Sequence, residues 1–307
     1  MKVLVWLVLS IIWGTTWIVI KVGLEDLPPI TFASARFVSA VLILTPLFFS
    51  RIRLLPSSKN EWKLIALTGV LQFSINYSLV FWSEQYITSG LAAVLQAMIT
   101  VFGLLLAWIF LPSERITRLK IIAVIVGIVG VAAIFVDQLR VENVMAFAGS
   151  AAIVVGAYAA AQASILIKAK ASGLHPAGIL YSQMLCGLPA IVAYSLVAEG
   201  NPFSMNWTWR AVASVLYLSV AGTIAAFWLY YWLLSRIEST RAMMISLVTP
   251  LIAVLAGNII LGESLPRGTF FGGMLILTGI ALIASGRSSP PKAEGESAGV
   301  EAGGAPS

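Results

Sequence analysis

The chain has 307 residues, of which 59% are hydrophobic and only 10% charged, with a net charge of +6 and a mean hydropathy of +0.95. A soluble domain carries about 25% charged residues, so this composition excludes an ordinary water-soluble core. The basic residues sit in short gaps between apolar runs rather than on one wet face, which excludes a nucleic-acid partner. One cysteine, Cys186, and one histidine, His175, allow neither an internal disulfide nor a Cys/His metal cluster, and no cofactor is expected.

A helix crossing a bilayer needs about 20 apolar residues. In chain order the candidates are 3–20, 30–50, 64–83, 86–111, 121–136, 145–167, 177–198, 211–235, 242–262 and 268–286. Lipid cannot satisfy backbone polar groups, so these runs read as helices. They are too long and too continuously apolar for the alternating strands of a membrane barrel. The first run follows Met1-Lys2 as a signal peptide would, but Thr15, Thr16 and Trp17 replace a small-residue cleavage site. It reads as a retained span.

The polar and aromatic residues inside these runs are the candidate site. Trp13 and Trp17, four apart, share one face of the first helix. Trp13 lies mid-span, away from the interface where tryptophan gathers. It is read evenly as cavity wall or bundle packing, whereas Trp6, Trp108 and Trp209 lean to packing or anchoring. In the second run, Arg36 stands six residues from the start, about 9 Å deep by helical rise. It snorkels outward, pairs with an acid such as Glu84 or Glu263, or faces a cavity. A cavity-facing or helix-tethering role is favoured.

The third run holds Gln72, Ser74, Asn76, Tyr77 and Ser78, the fourth Gln96, the sixth Tyr158 and Gln162, the seventh Tyr181 and Gln183, and the eighth Trp228, Tyr231 and Trp232. Polar amides in lipid turn toward other helices or a wet cavity. Hydrogen-bonding groups among aromatic faces suit a ligand with an apolar body and a polar head. Interhelical bonding accounts for roughly half of these residues. The expected substrate-binding set is Trp13, Trp17, Arg36, Asn76, Tyr77, Gln96, Tyr158, Gln162, Tyr181, Gln183, Trp228 and Tyr231. The fifth and tenth runs, with Gly127 and Gly130 against Gly272 and Gly279, read as scaffold. Pro189 and Pro250 are expected to bend the seventh and ninth helices.

Counted loop by loop, the basic residues divide 14 to 4 between the two sides, which predicts both termini in the cytoplasm. The segment from Thr88 aligns without a gap on the segment from Ile237 at an offset of 149. That register places Thr100 on Thr249, Glu114 on Glu263 and Gly130 on Gly279. PPITFASARF aligns on HPAGILYSQM at an offset of 147, placing Arg36 on Gln183. Five spans per half is an odd number, so the second half is expected to be inverted, the architecture of alternating access. The expected fold is an all-α membrane protein with ten transmembrane helices in two inverted five-helix repeats. Residues 1–140 form the first repeat, 141–287 the second, and 288–307 a disordered tail.

The stretches IIWGTTWIVIK (from Ile11), PPITFASARF (from Pro28), LPSERITRLK (from Leu111) and LGESLPRGTFFGGMLILTG (from Leu261) resemble the drug/metabolite transporter superfamily, in its ten-span EamA class. The resemblance covers about residues 3–286. It implies movement of small metabolites, with amino acids, including aromatic ones, among frequent cargo, across a bacterial inner membrane. It also implies that an arginine at position 36 is common. The sixth span departs from the family by lacking a tryptophan, with Tyr158 or Ala160 near its place.

The leading reading is a secondary transporter or facilitator exporting small metabolites, aromatic amino acids favoured. Transport of a sugar derivative or drug-like cation, or a channel, is the alternative. An enzyme would need an acid pair, a metal cluster or a nucleophile with its base, and the spans supply none. The expected partners are a small-molecule substrate and the lipid bilayer, with no nucleic acid and a monomeric chain. With acids only at the ends of spans, the sequence points to facilitated movement down a gradient.

Overall fold

The computed structural model describes residues 1–49, 51, 54–111, 117–140, 144–237, 242, 245–263 and 267–285. The expectations for Glu114 and for the tail fall outside them. Ten apolar helices account for most of the described residues: α1 (Lys2–Gly23), α2 (Pro29–Phe49), α3 (Lys59–Ser83), α4 (Ser89–Phe110), α5 (Arg118–Arg140), α6 (Val144–Lys170), α7 (Pro176–Ala198), α8 (Trp209–Leu234), α9 (Ile245–Leu261) and α10 (Arg267–Ser285). Seven of them (α1–α4 and α6–α8) are long and apolar enough to cross a membrane. The apolar runs in the other three are shorter: Ile121–Ala133, Val248–Leu261 and Phe270–Gly279. Large apolar side chains such as Leu42, Trp108, Ile259 and Phe271 point outward from the bundle, as an oily surroundings requires and water does not tolerate.

Local chemistry starts and stops these helices. Pro29 opens α2 with a preset φ and no N–H to satisfy. The next two amides, Ile30 and Thr31, donate to the Glu199 carboxylate at 2.9 and 2.6 Å. Ser58 and Glu61 form a reciprocal capping box at the start of α3. His175 Nδ1 accepts from the Ala177 amide ahead of α7. Glu263 accepts from the Ser89 amide and hydroxyl, capping α4 from the far end of the chain. Glu263 thereby ties the segment after α9 to the start of α4.

Two helices contain a wider turn. In α3 it spans Val70–Asn76 and in α8 Val220–Ala225, both with the π pattern. Such turns admit an extra residue and occur often at functional sites.

Lys21, at the end of α1, donates to the Glu84 and Ile87 carbonyls, and Arg210 reaches Glu25 and Asp26. These contacts gather the loops after α1, α3, α7 and α9 at one end of the bundle. At the other end, Lys168, at the end of α6, donates to the Leu234 and Ile237 carbonyls at 2.7 and 2.9 Å. Lys2, at the start of α1, donates to the neighbouring Arg236 carbonyl. Helices α1 and α6 therefore run in opposite directions.

The α5–α10 pair is the most extensive helix contact among the described residues, and its backbones meet closely. A Cβ on Gly130 would stand 2.6 Å from the Gly272 carbonyl oxygen, and one on Gly279 would stand 2.6 Å from that of Ala123. Only glycine lets the backbones meet this closely. Elsewhere α1 packs on α8 and α9, α2 on α7, and α3 on α6 and α7.

Candidate functional site

The central cavity occupies about 120 Å³ and is lined by α1, α2, α3, α4, α6, α8, α9 and Ala242. Helices α5 and α10 contribute no lining residue, in keeping with a scaffold. Trp13, Trp17 and Ile20 form the α1 wall, and Gln72, Asn76, Tyr77 and Val80 the α3 wall. Gln96 reaches in from α4, Ser164 from α6, Phe227 and Tyr230 from α8, and Thr249 from α9. Trp13 meets Phe227 edge-on at 5.5 Å and Tyr230 at 5.2 Å, the offset geometries that ring quadrupoles prefer.

Among the described residues Arg36 is the one cation lining this space. It is 1% exposed, so it does not snorkel. Its Nε donates to Thr223 Oγ1 at 2.7 Å and its Nη2 to the Gly222 carbonyl at 2.9 Å, both on the wide turn of α8. Gly222 is needed there, because a Cβ would stand 2.9 Å from Thr16 and 3.3 Å from Nη2. The guanidinium lies over the Tyr77 ring at 4.7 Å and the Phe37 ring at 5.3 Å, contacts that favour a cation. Among the described residues no carboxylate is within ion-pair distance. Arg36 thus tethers α2 to α8 and also faces the cavity, and it pairs with neither Glu84 nor Glu263.

Two further cavity groups carry unspent polarity. Gln96 Nε2 donates to Asn76 Oδ1 at 3.2 Å, but among the described residues Gln96 Oε1 has no partner, and neither does Trp13 Nε1. A buried polar atom without a partner is costly. This pair offers one donor and one acceptor to whatever enters.

The other expected site residues lie elsewhere. Tyr158 is 43% exposed and packs edge-on against Phe102 at 5.6 Å, while Ala160, two positions on, lines the cavity. Trp228 is 51% exposed. Gln162 is half-buried and off the cavity wall. Gln183 is fully buried, donates to Thr68 Oγ1 at 2.7 Å and accepts from Tyr231 at 2.6 Å, so the two close on each other. Tyr181 stacks on Phe48 at 4.4 Å and shares a hydrogen bond with Thr45. Phe227, Tyr230, Ser164 and Thr249 were not expected. Their signal is i,i+3 or i,i+4 spacing along one face: 227 with 230, Ala160 with 164, Ile245 with 249.

These features define a class: a polytopic helical membrane protein with a solute-sized chamber of aromatic rings, amides and a buried arginine. Within that class the chain belongs to the EamA-like transporter family, whose model matches residues 1–136 and 147–285. It is a multi-pass membrane transporter. The "Uncharacterized transporter YoaV" of Bacillus subtilis is 26% identical over 88% of this chain and 92% of its own length. An "Uncharacterized transporter" of Archaeoglobus fulgidus is 29% identical over 91% of this chain and 98% of its own. The "Probable amino-acid metabolite efflux pump" of Escherichia coli is 27% identical over 89% and 91%. A solved crystal structure shares the fold with a TM-score of 0.67 at 14% identity, covering 92% of this chain and 96% of its own.

Proposed function

We propose that the protein exports small amphipathic metabolites, aromatic amino acids first among them, across a bacterial inner membrane by alternating access. One observation carries this reading: among the described residues Arg36 has no carboxylate partner, and it stands beside Trp13 Nε1 and Gln96 Oε1, which have no hydrogen-bond partner there either. A zwitterion places its carboxylate on Arg36 and the indole N–H, its ammonium on the Gln96 oxygen, and its ring among Trp13, Phe227 and Tyr230. A cavity of about 120 Å³ suits a body of about one aromatic ring. The name of the Escherichia coli relative supports the same cargo class. A drug-like cation suits the cavity less, because Arg36 repels it.

In this reading all ten helices span the bilayer as two inverted five-helix repeats, with both termini cytoplasmic and the chain working as a monomer. The opposed directions of α1 and α6 support the inversion, as do the wide turns starting at Val70 and Val220. So does the match of Lys21 on two carbonyls of the α3 end with Lys168 on two carbonyls of the α8 end.

The test is a thermal-shift panel on the protein in nanodiscs. L-phenylalanine, L-tyrosine and L-tryptophan are expected to raise Tm, and phenethylamine and glucosamine to leave it unchanged. A ligand at a hundred times its Kd adds about 2.7 kcal/mol. A shift with the amine or the sugar and none with the amino acids would overturn the cargo assignment.

A further inference from the structure

Glu84 reads in sequence as a loop acid (WSEQY), just past the end of the third span. The structure encloses it. It is 0% exposed, and among the described residues neither carboxyl oxygen has a hydrogen-bond partner. It lies one helical turn beyond Val80, which lines the cavity. The other acids with described side chains are all engaged. Glu25 and Asp26 hold Arg210, Glu61 and Glu199 cap α3 and α2, and Glu263 caps α4.

Among the described residues the charged groups that face Glu84 are Lys21 from α1, Arg36 from α2 and Glu263 from the segment after α9. Lys21 spends its ammonium on the Glu84 and Ile87 carbonyls and is not within ion-pair distance of the carboxyl. Helix α6 packs Gly149 against Ser83 and carries no charged residue between Val144 and Ile167. Helices α4 and α9 carry no charged residue at all. An ionised carboxylate here is desolvated and unpaired, the costliest state for a buried polar group. The neutral acid is the form that this arrangement favours.

We propose that Glu84 is a proton-binding site of the transport cycle, linking movement of the cavity's cargo to the proton gradient. It holds the proton while α1, α3 and the segment after α9 close over it. When that end opens and water or the Lys21 ammonium reaches the carboxyl, the O–H bond breaks and the proton passes to water. This goes beyond the cargo assignment, and departs from the facilitated movement expected from sequence, because an acid at the end of a span is here walled in by its neighbours.

The first arm of the test needs no cargo. Infrared pH titration of the protein in nanodiscs is expected to show the C=O stretch of a protonated carboxyl at neutral pH, fading as pH rises. The band should vanish in Glu84→Gln and persist, shifted, in Glu84→Asp, which also covers a Gln variant that fails to fold. Absence of the band at neutral pH in the unaltered protein overturns the proposal. The second arm loads proteoliposomes with labelled L-phenylalanine. Wild type is expected to accumulate it about tenfold per unit of pH gradient at one-to-one coupling, and Glu84→Gln to keep exchange but lose accumulation. Equal accumulation by both proteins overturns the proton site. No exchange by wild type overturns the cargo assignment instead and leaves the infrared result to decide the proton site.

Discussion

Arg36 on α2 and Gln183 on α7 fall on one another when the sequence is aligned on itself at an offset of 147, yet they do opposite things with their polarity. Gln183 is closed: its amide donates to Thr68, and its oxygen accepts from Tyr231. Arg36 fixes α2 to α8 through Thr223 and Gly222 and still turns guanidinium toward the cavity. The supporting lysines show the contrast again. Lys21 and Lys168 each hold two carbonyls at a helix end, but the residue under Lys21 is the unpartnered Glu84, and its counterpart under Lys168 is Leu234. The two lysine contacts repeat one pattern, and the chemistry resides where their surroundings differ.

The comparison breaks most violently if the closed site is made to resemble the open one. Gln183→Arg buries an unpaired cation, and a lone buried charge costs about 3–5 kcal/mol. The expected outcome is loss of folded protein, read by size-exclusion of detergent-solubilised material. The reverse change, Arg36→Gln, gives α2 the amide that α7 already has. Charged hydrogen bonds are worth about 1.5–3 kcal/mol, so calorimetry should find L-phenylalanine binding about ten- to a hundredfold weaker on a folded protein. Unchanged affinity would remove Arg36 from the site.

Smaller effects sharpen the picture. Lys21→Met and Lys168→Met each remove a cation from helix C-terminal carbonyls, worth about 0.3–2 kcal/mol. Hydrogen exchange should rise at residues 84–87 in the first variant and at 234–237 in the second, each confined to its own end. Least of all is the pair joining the halves at Asp26, whose carboxyl Arg210 and Thr208 hold below its ordinary value of 3.8. A depressed carboxylate stabilises above its unfolded pKa and loses that contribution as pH falls through the folded one. Asp26→Asn should therefore leave Tm differences flat at neutral pH and shrink them only in strong acid.

Much of this was legible in the sequence. Bilayer-length apolar runs name the helices, and a lone arginine, a mid-span tryptophan and amides inside such runs name half of the cavity wall. What resisted reading was the face. In α8 the run FWLYYWLL is aromatic nearly all round, so periodicity favours no side. The wide turn just before it, at Val220–Ala225, upsets the ideal phase of everything downstream. Phe227 and Tyr230 therefore turn inward, while Trp228 turns out and Tyr231 turns to Gln183. Tyr158 illustrates the reverse error: the largest ring on α6 points away, and the cavity needs the small Ala160 for its room. The burial of Glu84 was not legible, because distance from the middle of a span is not distance from water when neighbouring helix ends fold over it.

The glycine seam between α5 and α10 carries a consequence for how the protein is made. Its two edges lie in the middle and at the end of the chain, so α5 leaves the ribosome long before its mate exists. Until then its backbone groove lies bare to lipid. A chain stopped short of α10 would hold every cavity residue described above and still lack its clasp, a ready mark for the proteases that patrol membranes.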